Sequence, residues 1–166
     1  VELNEGCECT DGQGLGGVVV LSSATVCAIS SNISSNHLHN VGIQGGGKVE
    51  LQSFECNDCV EQRGLIVKGK GSAATARDCV LRGNMADNAA AEEGATLQLE
   101  RCVCEGSQAG MGLCVLDEGS TATAHDCEIA RNFRSNVQLQ RGARVEVRGC
   151  MCDGSKERVG LLVHGL

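Results

Sequence analysis

The residues in this sequence that could carry out chemistry are mainly thiols and imidazoles. The chain has 12 Cys and 4 His in 166 residues. Thiolates and imidazoles bind zinc, and paired thiols exchange with disulfides. Two local arrangements have suggestive spacing, the CxxC at Cys56-Asn57-Asp58-Cys59 and the pair in His37-Leu38-His39. Neither is accompanied by the second Cys or His pair that a zinc site needs, so we predict no metal site and no cofactor.

The spacing of the cysteines indicates a structural role instead. Two series recur about every 24 residues, and in them Cys exchanges with Ser31, Phe54, Leu81 and Ile129, as a small buried hydrophobic residue would. We therefore predict free thiols that pack a core, with disulfides between neighbouring repeats or a metal site as alternatives. Abundant free thiols favour a reducing compartment. The predicted core thiols are Cys79, Cys102, Cys127 and Cys150 in one series and Cys56, Cys104 and Cys152 in the other.

These cysteines belong to a repeat that covers the chain. Gly64-Leu65-Ile66-Val67 returns 48 residues later as Gly112-Leu113-Cys114-Val115, then as Gly160-Leu161-Leu162-Val163, and it aligns with Gly16-Gly17-Val18-Val19. A fixed period of this kind indicates a solenoid. We predict a single domain over 1–166, with repeat units at about 1–15, 16–63, 64–111, 112–159 and 160–166. Val1 aligns with Val145 and Leu166 with Ser22, in mid-repeat, so we expect a segment of a longer protein.

Each 48-residue unit divides into two coils of about 24 residues, and each coil contains three short strands and three turns. Alternation in Val49-Glu50-Leu51 and its equivalents is typical of a strand with one buried face, whereas no window keeps a helical period. With 23 Gly and no Trp, Tyr or Pro, the interior must be narrow and filled by small or β-branched residues. The sequence predicts an all-β parallel β-helix of about seven coils, whose strands pair with their equivalents about 4.8 Å above and below.

Asparagine recurs at two turn positions of the 48-residue unit. Asn tolerates left-handed backbone geometry, and stacked Asn side chains can hydrogen bond along a ladder. We predict such ladders at both positions. Their members are Asn36, Asn84 and Asn132 at the first position, and Asn40, Asn88 and Asn136 at the second.

The rhythm Gly-Leu-x-Val, Gly-Ser, Ala-x-Ala-x-Asp-Cys-x-Ile, which runs from Gly112 to Ile129, resembles the repeats of right-handed, single-stranded parallel β-helices. It is similar to the pectin-lyase-like superfold, and most of all to the repeat arrays called carbohydrate-binding and sugar-hydrolysis domains. The resemblance extends over essentially the whole chain. It implies a right-handed solenoid, and it implies carbohydrate binding or polysaccharide processing as one function to weigh.

Composition limits the partners. A net charge of −7 argues against nucleic acid, which requires a basic surface. No apolar run approaches the length that spans a membrane. A surface that binds glycans normally presents aromatic rings, and the chain has only Phe54 and Phe133.

Enzymes of the resembled superfold hold substrate on the outer face of one sheet, where acidic and basic side chains cluster. In this sequence the corresponding positions offer Lys68, Glu92 and His164, and we expect Lys68 and Glu92 to form an exposed ion pair. Paired carboxylates for acid–base catalysis are missing from this set. We therefore predict that this segment is not an enzyme.

The same face should carry an apolar stripe with a 48-residue period. Val18, Ile66, Cys114 and Leu162 are its members, and Cys114 is expected to be the most reactive thiol. Exposed apolar stripes mark partner surfaces. The leading prediction is a structural scaffold that docks protein partners or stacks on itself, and carbohydrate binding or processing is the alternative.

Overall fold

The computed structural model describes residues 2–3, 7–14 and 16–164, and these residues form strands and turns without any helix. The strands, in chain order, are β1 (Glu2–Leu3), β2 (Val18–Val20), β3 (Thr25–Ile29), β4 (Val41–Gln44), β5 (Lys48–Gln52), β6 (Leu65–Lys68), β7 (Ala73–Arg77), β8 (Val80–Arg82), β9 (Ala89–Glu92), β10 (Thr96–Glu100), β11 (Val103–Glu105), β12 (Leu113–Leu116), β13 (Thr121–His125), β14 (Glu128–Ala130), β15 (Val137–Gln140), β16 (Arg144–Arg148) and β17 (Leu161–His164). Val1 and Leu166, on which the expected mid-repeat ends rest, lie outside the described residues.

The strands form three parallel sheets that wind into a solenoid. The front sheet has the order β2-β4-β6-β9-β12-β15-β17, the back sheet β1-β3-β5-β7-β10-β13-β16, and the short sheet β8-β11-β14. Isolated bridges such as Glu8↔Asn32 and Asn32↔Glu55 extend the short sheet toward the first coils. Seven strands in the front sheet correspond to about six turns from β2 to β17. The predicted all-β parallel β-helix is confirmed, and the predicted number of coils fits roughly.

A single core runs along the axis, because alternate residues of the strands from β2 onward point inward. In β10, Leu97 and Leu99 are buried while Gln98 between them is exposed. The inward columns of the two long sheets hold mainly Val, Leu, Ile and Ala. Phe54 is among the largest side chains buried here, so the narrow interior expected from the composition is present.

The first coil departs from the predicted alignment by one residue. Val19 pairs with Gly42, which pairs with Ile66, so Val18 is not the equivalent of Ile66. The cause is the turn between the front and back sheets. Four residues, 21–24, lie between the paired positions Val20 and Thr25, whereas five, 68–72, lie between their equivalents Val67 and Ala73. Ser22 and Ser23 in the shorter connection both have positive φ. The missing residue shifts β2 while β3 stays in register with β5 and β7.

The predicted Asn ladders lie inside the solenoid and form one chain of hydrogen bonds. Asn36, Asn40, Asn84, Asn88, Asn132 and Asn136 are all buried. The amide of Asn40 donates to Oδ1 of Asn84 at 3.1 Å, and that of Asn84 donates to Oδ1 of Asn88 at 2.8 Å. The chain continues through Asn88 to Asn132 at 2.9 Å and on to Asn136 at 3.0 Å. The six amides therefore connect successive coils through the buried edge of the front sheet.

The backbone reason given for asparagine was wrong, because none of these six residues has positive φ. The left-handed positions are taken instead by Ser, Asp, Glu, Arg and Gly, for example Ser53, Asp78 and Asp126. The asparagines are there for their side chains. Each also satisfies a backbone carbonyl, as when Asn84 donates to Cys56 O at 3.0 Å and Asn88 to Glu105 O at 2.9 Å.

Glycine alternates with asparagine in one column of this edge. The column reads Gly17, Asn40, Gly64, Asn88, Gly112, Asn136, Gly160. A Cβ added at Gly64 would lie 2.5 Å from Nδ2 of Asn84, and one at Gly112 would lie 2.5 Å from Nδ2 of Asn132. Real atoms do not approach so closely, so the amide chain requires glycine in every second coil. This alternation is a physical cause of the 48-residue period.

Candidate binding surface on the front sheet

The outer face of the front sheet has two columns of side chains. The central column contains Val19, Gly42, Ile66, Ala90, Cys114, Gln138 and Leu162, and the second contains Gln44, Lys68, Glu92, Leu116, Gln140 and His164. The residues that precede β4, β6, β9, β12 and β15 by two positions are one coil apart, at His39, Arg63, Asp87, Met111 and Ser135. Met111 packs on the outer face, and His39 lines a hollow in it.

The predicted exposed stripe is wrong, because its central members are covered. Ile66 is 7% exposed and Cys114 is 1% exposed, and they pack with Ala90 and Met111 in a second apolar cluster outside the main core. Val18 points inward and packs against the main core, so its place on the outer face belongs to Val19. Val19 is 37% exposed, and Leu162 is half-buried.

Cys114 is therefore not the reactive thiol that the sequence suggested. Burial raises the pKa of Cys114, and the nearby carboxylate of Asp87 raises it further. A thiol that stays protonated and covered reacts slowly. Among the outward positions, the half-buried Cys27 on the back sheet is the more accessible thiol.

An ion cluster lies beside the second apolar cluster. Nε of Arg63 is 2.8 Å from Oδ2 of Asp87, and its Nη2 is 2.8 Å from Oε1 of Glu92. Burial opposes the charge of Arg63, but the two carboxylates outweigh this effect and raise its pKa. Asp87 also accepts the backbone N–H of Met111 at 2.9 Å. The guanidinium thus ties together two consecutive coils, and the carboxylate of Asp87 extends the link to a third coil through Met111.

The expected Lys68–Glu92 pair is absent. Glu92 is held by Arg63, and Nζ of Lys68 lies 3.1 Å from Oε1 of Glu93 instead, with both partners about half exposed. Such an exposed pair contributes little to stability, about 0–1 kcal/mol. The ammonium group of Lys68 therefore remains accessible at the rim of this face.

A hollow of about 200 Å³ opens on the outer face where the covering residues leave a gap. Gly42 forms its floor, and the imidazole of His39 stands beside it. Burial lowers the pKa of His39 to about 4, helped by the positive charges of Arg63 and Lys68, so this imidazole is neutral at pH 7. The residues that line the hollow are Val19, Leu38, His39, Gly42, Ile43, Gln44, Ile66 and Lys68.

The predicted core thiols lie where the sequence placed them. Cys56, Cys79, Cys102, Cys104 and Cys127 are buried, whereas Cys150 and Cys152 are half-buried. Successive coils bring the thiols together, since the N–H of Cys102 lies 3.4 Å from Sγ of Cys127 and the N–H of Cys127 lies 3.3 Å from Sγ of Cys150. All 12 cysteines fall within the described residues and are free. Burial raises the pKa of Cys104 well above its usual value, as befits a packing residue.

The remaining motifs form no larger site. Cys59 of the CxxC is buried, and its thiol donates to Leu38 O at 2.9 Å. Nδ1 of His37 lies 3.4 Å from Oε2 of Glu61, whereas His39 lines the hollow. Over the described part of the chain, no three His, Cys, Asp or Glu side chains are arranged to hold a metal ion. The same residues contain no helix with the length and apolarity to cross a membrane.

Sequence reasoning missed Arg63, Asp87 and Met111, the residues that cover the outer face. A signal was present, because His39, Arg63, Asp87 and Met111 are evenly spaced by 24 and each directly precedes the Asn or Gly of the alternating column. The turn preceding each strand was treated only as a connection. Its side chains in fact form a second layer over the sheet.

The sheets, the continuous inward columns and the covered outer face define a single-stranded parallel β-solenoid. The family model described as right handed beta helix region matches residues 16–165. The chain therefore belongs to this family, and the predicted resemblance to right-handed parallel β-helices is confirmed. Comparisons with curated proteins and with solved structures give no match.

Proposed function

We propose that this chain is a non-catalytic interaction scaffold, a rigid β-helix that holds protein partners within a larger protein or assembly. The observation that carries the proposal is the state of the outer face of the front sheet. Its two central carboxylates, Asp87 and Glu92, are both engaged by Arg63. Its apolar residues Ile66 and Cys114 are packed under Met111. The groups that would do acid–base chemistry are thus used to hold coils together.

Rigidity supports the same proposal. The amide chain from Asn36 to Asn136 ties successive coils through buried hydrogen bonds, and such networks are costly to open because each unpaired group would remain buried. A solenoid of this kind keeps surface residues at fixed distances. That property suits a protein whose task is to position partners.

The size of the hollow also favours docking. At about 200 Å³ it is smaller than the range of about 300–1,000 Å³ that is typical of small-molecule sites. A space of this size suits one side chain of a partner better than a sugar chain. Protein interfaces commonly bury a single anchoring side chain in such a pocket.

Carbohydrate binding or processing is the second candidate, and family membership supports it as a fold-level analogy. The residues disfavour it. Phe54 is buried in the core and Phe133 is half-buried, so aromatic surface for stacking on sugar rings is scarce.

The test compares partners with glycans on the intact protein. Crosslinking and mass spectrometry in the native source should recover a stoichiometric protein partner. Polysaccharide panels should give neither new reducing ends nor an increase in melting temperature. Turnover of any polysaccharide, or stabilisation by one without a protein partner, would overturn the scaffold proposal in favour of the second candidate.

A further inference from the structure

We propose that Cys127 and Cys150 form a binding site for Cu(I), in which the ion lies between the two sulfurs and is held by them in linear two-coordinate geometry. The site is separate from the front sheet and does not depend on the proposed scaffold function. Three features of the core support it: the stacking of thiols in successive coils, the N–H groups that face them, and the distance between neighbouring coils.

Three cysteines occupy the same inward position in successive coils. Cys102, Cys127 and Cys150 are aligned because the residues that directly follow them pair with one another. Cys102 and Cys127 are buried in the main core, and the half-buried Cys150 packs against it. Since neighbouring parallel strands lie about 4.8 Å apart, each of these thiols has the next one as its direct neighbour along the axis.

The backbone favours the ionised form of the two proposed ligands. The N–H of Cys127 donates to Sγ of Cys150 at 3.3 Å, and the N–H of Cys102 lies 3.4 Å from Sγ of Cys127. Burial is the main cause that raises the pKa of Cys150, the N–H of Cys127 opposes it, and the Cys127 thiol adds to the increase through its charge and its hydrogen bond. A cysteine binds metal as the thiolate, so donors already aimed at both sulfurs lower the cost of ionising them.

The distance between coils suits a bridging ion better than a disulfide. A disulfide requires Cβ atoms about 3.5–4.5 Å apart, whereas side chains that run side by side from in-register parallel strands start about 4.8 Å apart. Two metal–sulfur bonds of about 2.3 Å in line span about 4.6 Å, which matches this spacing. An ion can therefore join the two sulfurs without drawing the strands together.

The pair selects Cu(I) among the metals that bind thiolates. Zn²⁺ requires a set of four ligands, which the sequence lacks, and no three His, Cys, Asp or Glu side chains in the described residues could hold a metal ion. A soft, monovalent ion such as Cu(I) is satisfied by two thiolates. The complex carries one negative charge, and the N–H groups of Cys102 and Cys127 face it.

The ion can enter from the side of Cys150. This thiol is half-buried and Cys127 beside it is buried, so Cys150 is the first sulfur that an incoming ion meets. Two sulfur–hydrogen bonds break and two copper–sulfur bonds form, the two protons leave to solvent, and copper stays in the +1 state. The apolar core around Cys127 limits access of water, which favours the weakly hydrated Cu(I) over Cu(II).

The test measures how much Cu(I) the reduced chain retains against a chelator. The protein is titrated anaerobically with Cu(I) in the presence of bicinchoninate, whose Cu(I) complex is coloured, and copper X-ray absorption counts the sulfur ligands. We expect the chain to withdraw Cu(I) from the chelator and, at one equivalent, to show two sulfur ligands at copper. Bound Cu(I) should also slow the labelling of Cys150 by iodoacetamide and leave the labelling of Cys27 unchanged.

Two variants and one matched control locate the ion. Cys127→Ser and Cys150→Ser each remove a ligand, and both should lose about one equivalent of bound Cu(I). Serine is compatible with this column, since Ser31 occupies the same position in an earlier coil. Cys152→Ser removes another half-buried inward thiol from the coil of Cys150, but its neighbour in the preceding coil is Ile129, so this variant should retain the ion. Circular dichroism and melting temperature establish that each variant is folded.

The site would be overturned by a chain that withdraws no Cu(I) from the chelator, by equal retention in the folded Cys127→Ser variant, by a loss in Cys152→Ser as large as in Cys150→Ser, or by three or more sulfur ligands at copper. If Cys127→Ser does not fold, the Cys150→Ser variant and the labelling of Cys150 decide. None of these results bears on the scaffold proposal, which its own search for protein partners tests.

Discussion

The side-chain amide of Asn40 donates to Oδ1 of Asn84 at 3.1 Å, joining two residues that are 44 positions apart in the sequence. Asn84 sits at the centre of the amide chain. Its Oδ1 also accepts the N–H of Cys59 at 3.0 Å, and its own amide bonds Asn88 and the carbonyl of Cys56.

Replacing Asn84 by Ala should be strongly destabilising. The change leaves buried groups of Cys59, Cys56 and Asn40 without partners, and each such group costs about 1–3 kcal/mol. We expect a loss of about 3–5 kcal/mol in urea unfolding, with Gln108→Ala, which removes an exposed amide, losing less than about 0.5 kcal/mol. Equal losses in the two variants would show that the amide chain does not stabilise the rod.

Two glycines of the front sheet should respond oppositely to a methyl group. In Gly64→Ala the new Cβ would clash with Asn84 at 2.5 Å and with the carbonyl oxygen of Asn88 at 2.8 Å. Overpacking of this kind costs about 1–3 kcal/mol. Gly42→Ala meets nothing closer than 4.0 Å, so it should be neutral or stabilising by up to about 1 kcal/mol. Thermal unfolding of the pair measures the contrast, and similar melting temperatures would contradict it.

Arg63→Met should destabilise the protein much more than Lys68→Met. Removing Arg63 leaves Asp87 and Glu92 without their shared cation, and breaking a largely buried pair costs about 3–5 kcal/mol. The Lys68–Glu93 pair is about half exposed, so its loss should cost less than about 1 kcal/mol. Chemical denaturation of both variants is the measurement. A Lys68→Met effect as large as that of Arg63→Met would refute the ranking.

His39 should make stability fall as the pH is lowered from about 6.5 to about 4. The unfolded chain binds a proton at the ordinary imidazole pKa of 6.5, while in the folded chain the pKa is lowered to about 4. Above pH 6.5 the imidazole is neutral in both states, so His39 does not lower the stability. Between pH 6.5 and 4 the unfolded chain binds a proton that the folded chain does not bind, so the free energy of unfolding falls. Because His39 is only half-buried, we expect about 1–2 kcal/mol.

The His39→Gln variant isolates this effect from the titration of carboxylates. Its stability should depend less steeply on pH between 6.5 and 4, while the behaviour above 7 is unchanged. Parallel pH curves for the variant and the parent protein would refute the assignment. An NMR titration of the imidazole gives the pKa directly.

Thiol labelling should separate Cys27 from Cys114. The half-buried Cys27 on the back sheet should react with iodoacetamide in the native protein, whereas the buried Cys114 should react only after unfolding. Peptide mapping by mass spectrometry quantifies both. Labelling of Cys114 at the rate of Cys27 would mean that the covering layer opens readily.

The fold could be predicted because one period repeats it many times. Each coil gives an independent indication of the same strands, so the inward positions of Cys79, Cys102 and Cys127 follow from simple alternation. An error in one coil does not disturb the others. The one-residue shift at Val18 arose where the connection at 21–24 is one residue shorter than its equivalent at 68–72, and an alignment by residue types had no means of locating the gap.

The outer face was harder to predict because its exposure depends on a second layer. Strand alternation correctly turns Ile66 and Cys114 outward, but it carries no information about Met111 and Arg63 above them. Their side-chain directions depend on the path of a turn. Likewise, Lys68 pairs with Glu93 because Arg63 already binds Glu92. A prediction that considers one pair of residues at a time does not include this competition.

The alternation of Gly and Asn in the column from Gly17 to Gly160 also restricts how such a rod can change in length during evolution. Duplicating or deleting one coil would put two asparagines or two glycines next to each other, with either a clash or a break in the amide chain. Duplicating or deleting two coils restores the alternation. We therefore expect internal duplications to lengthen this rod by pairs of coils, 48 residues at a time.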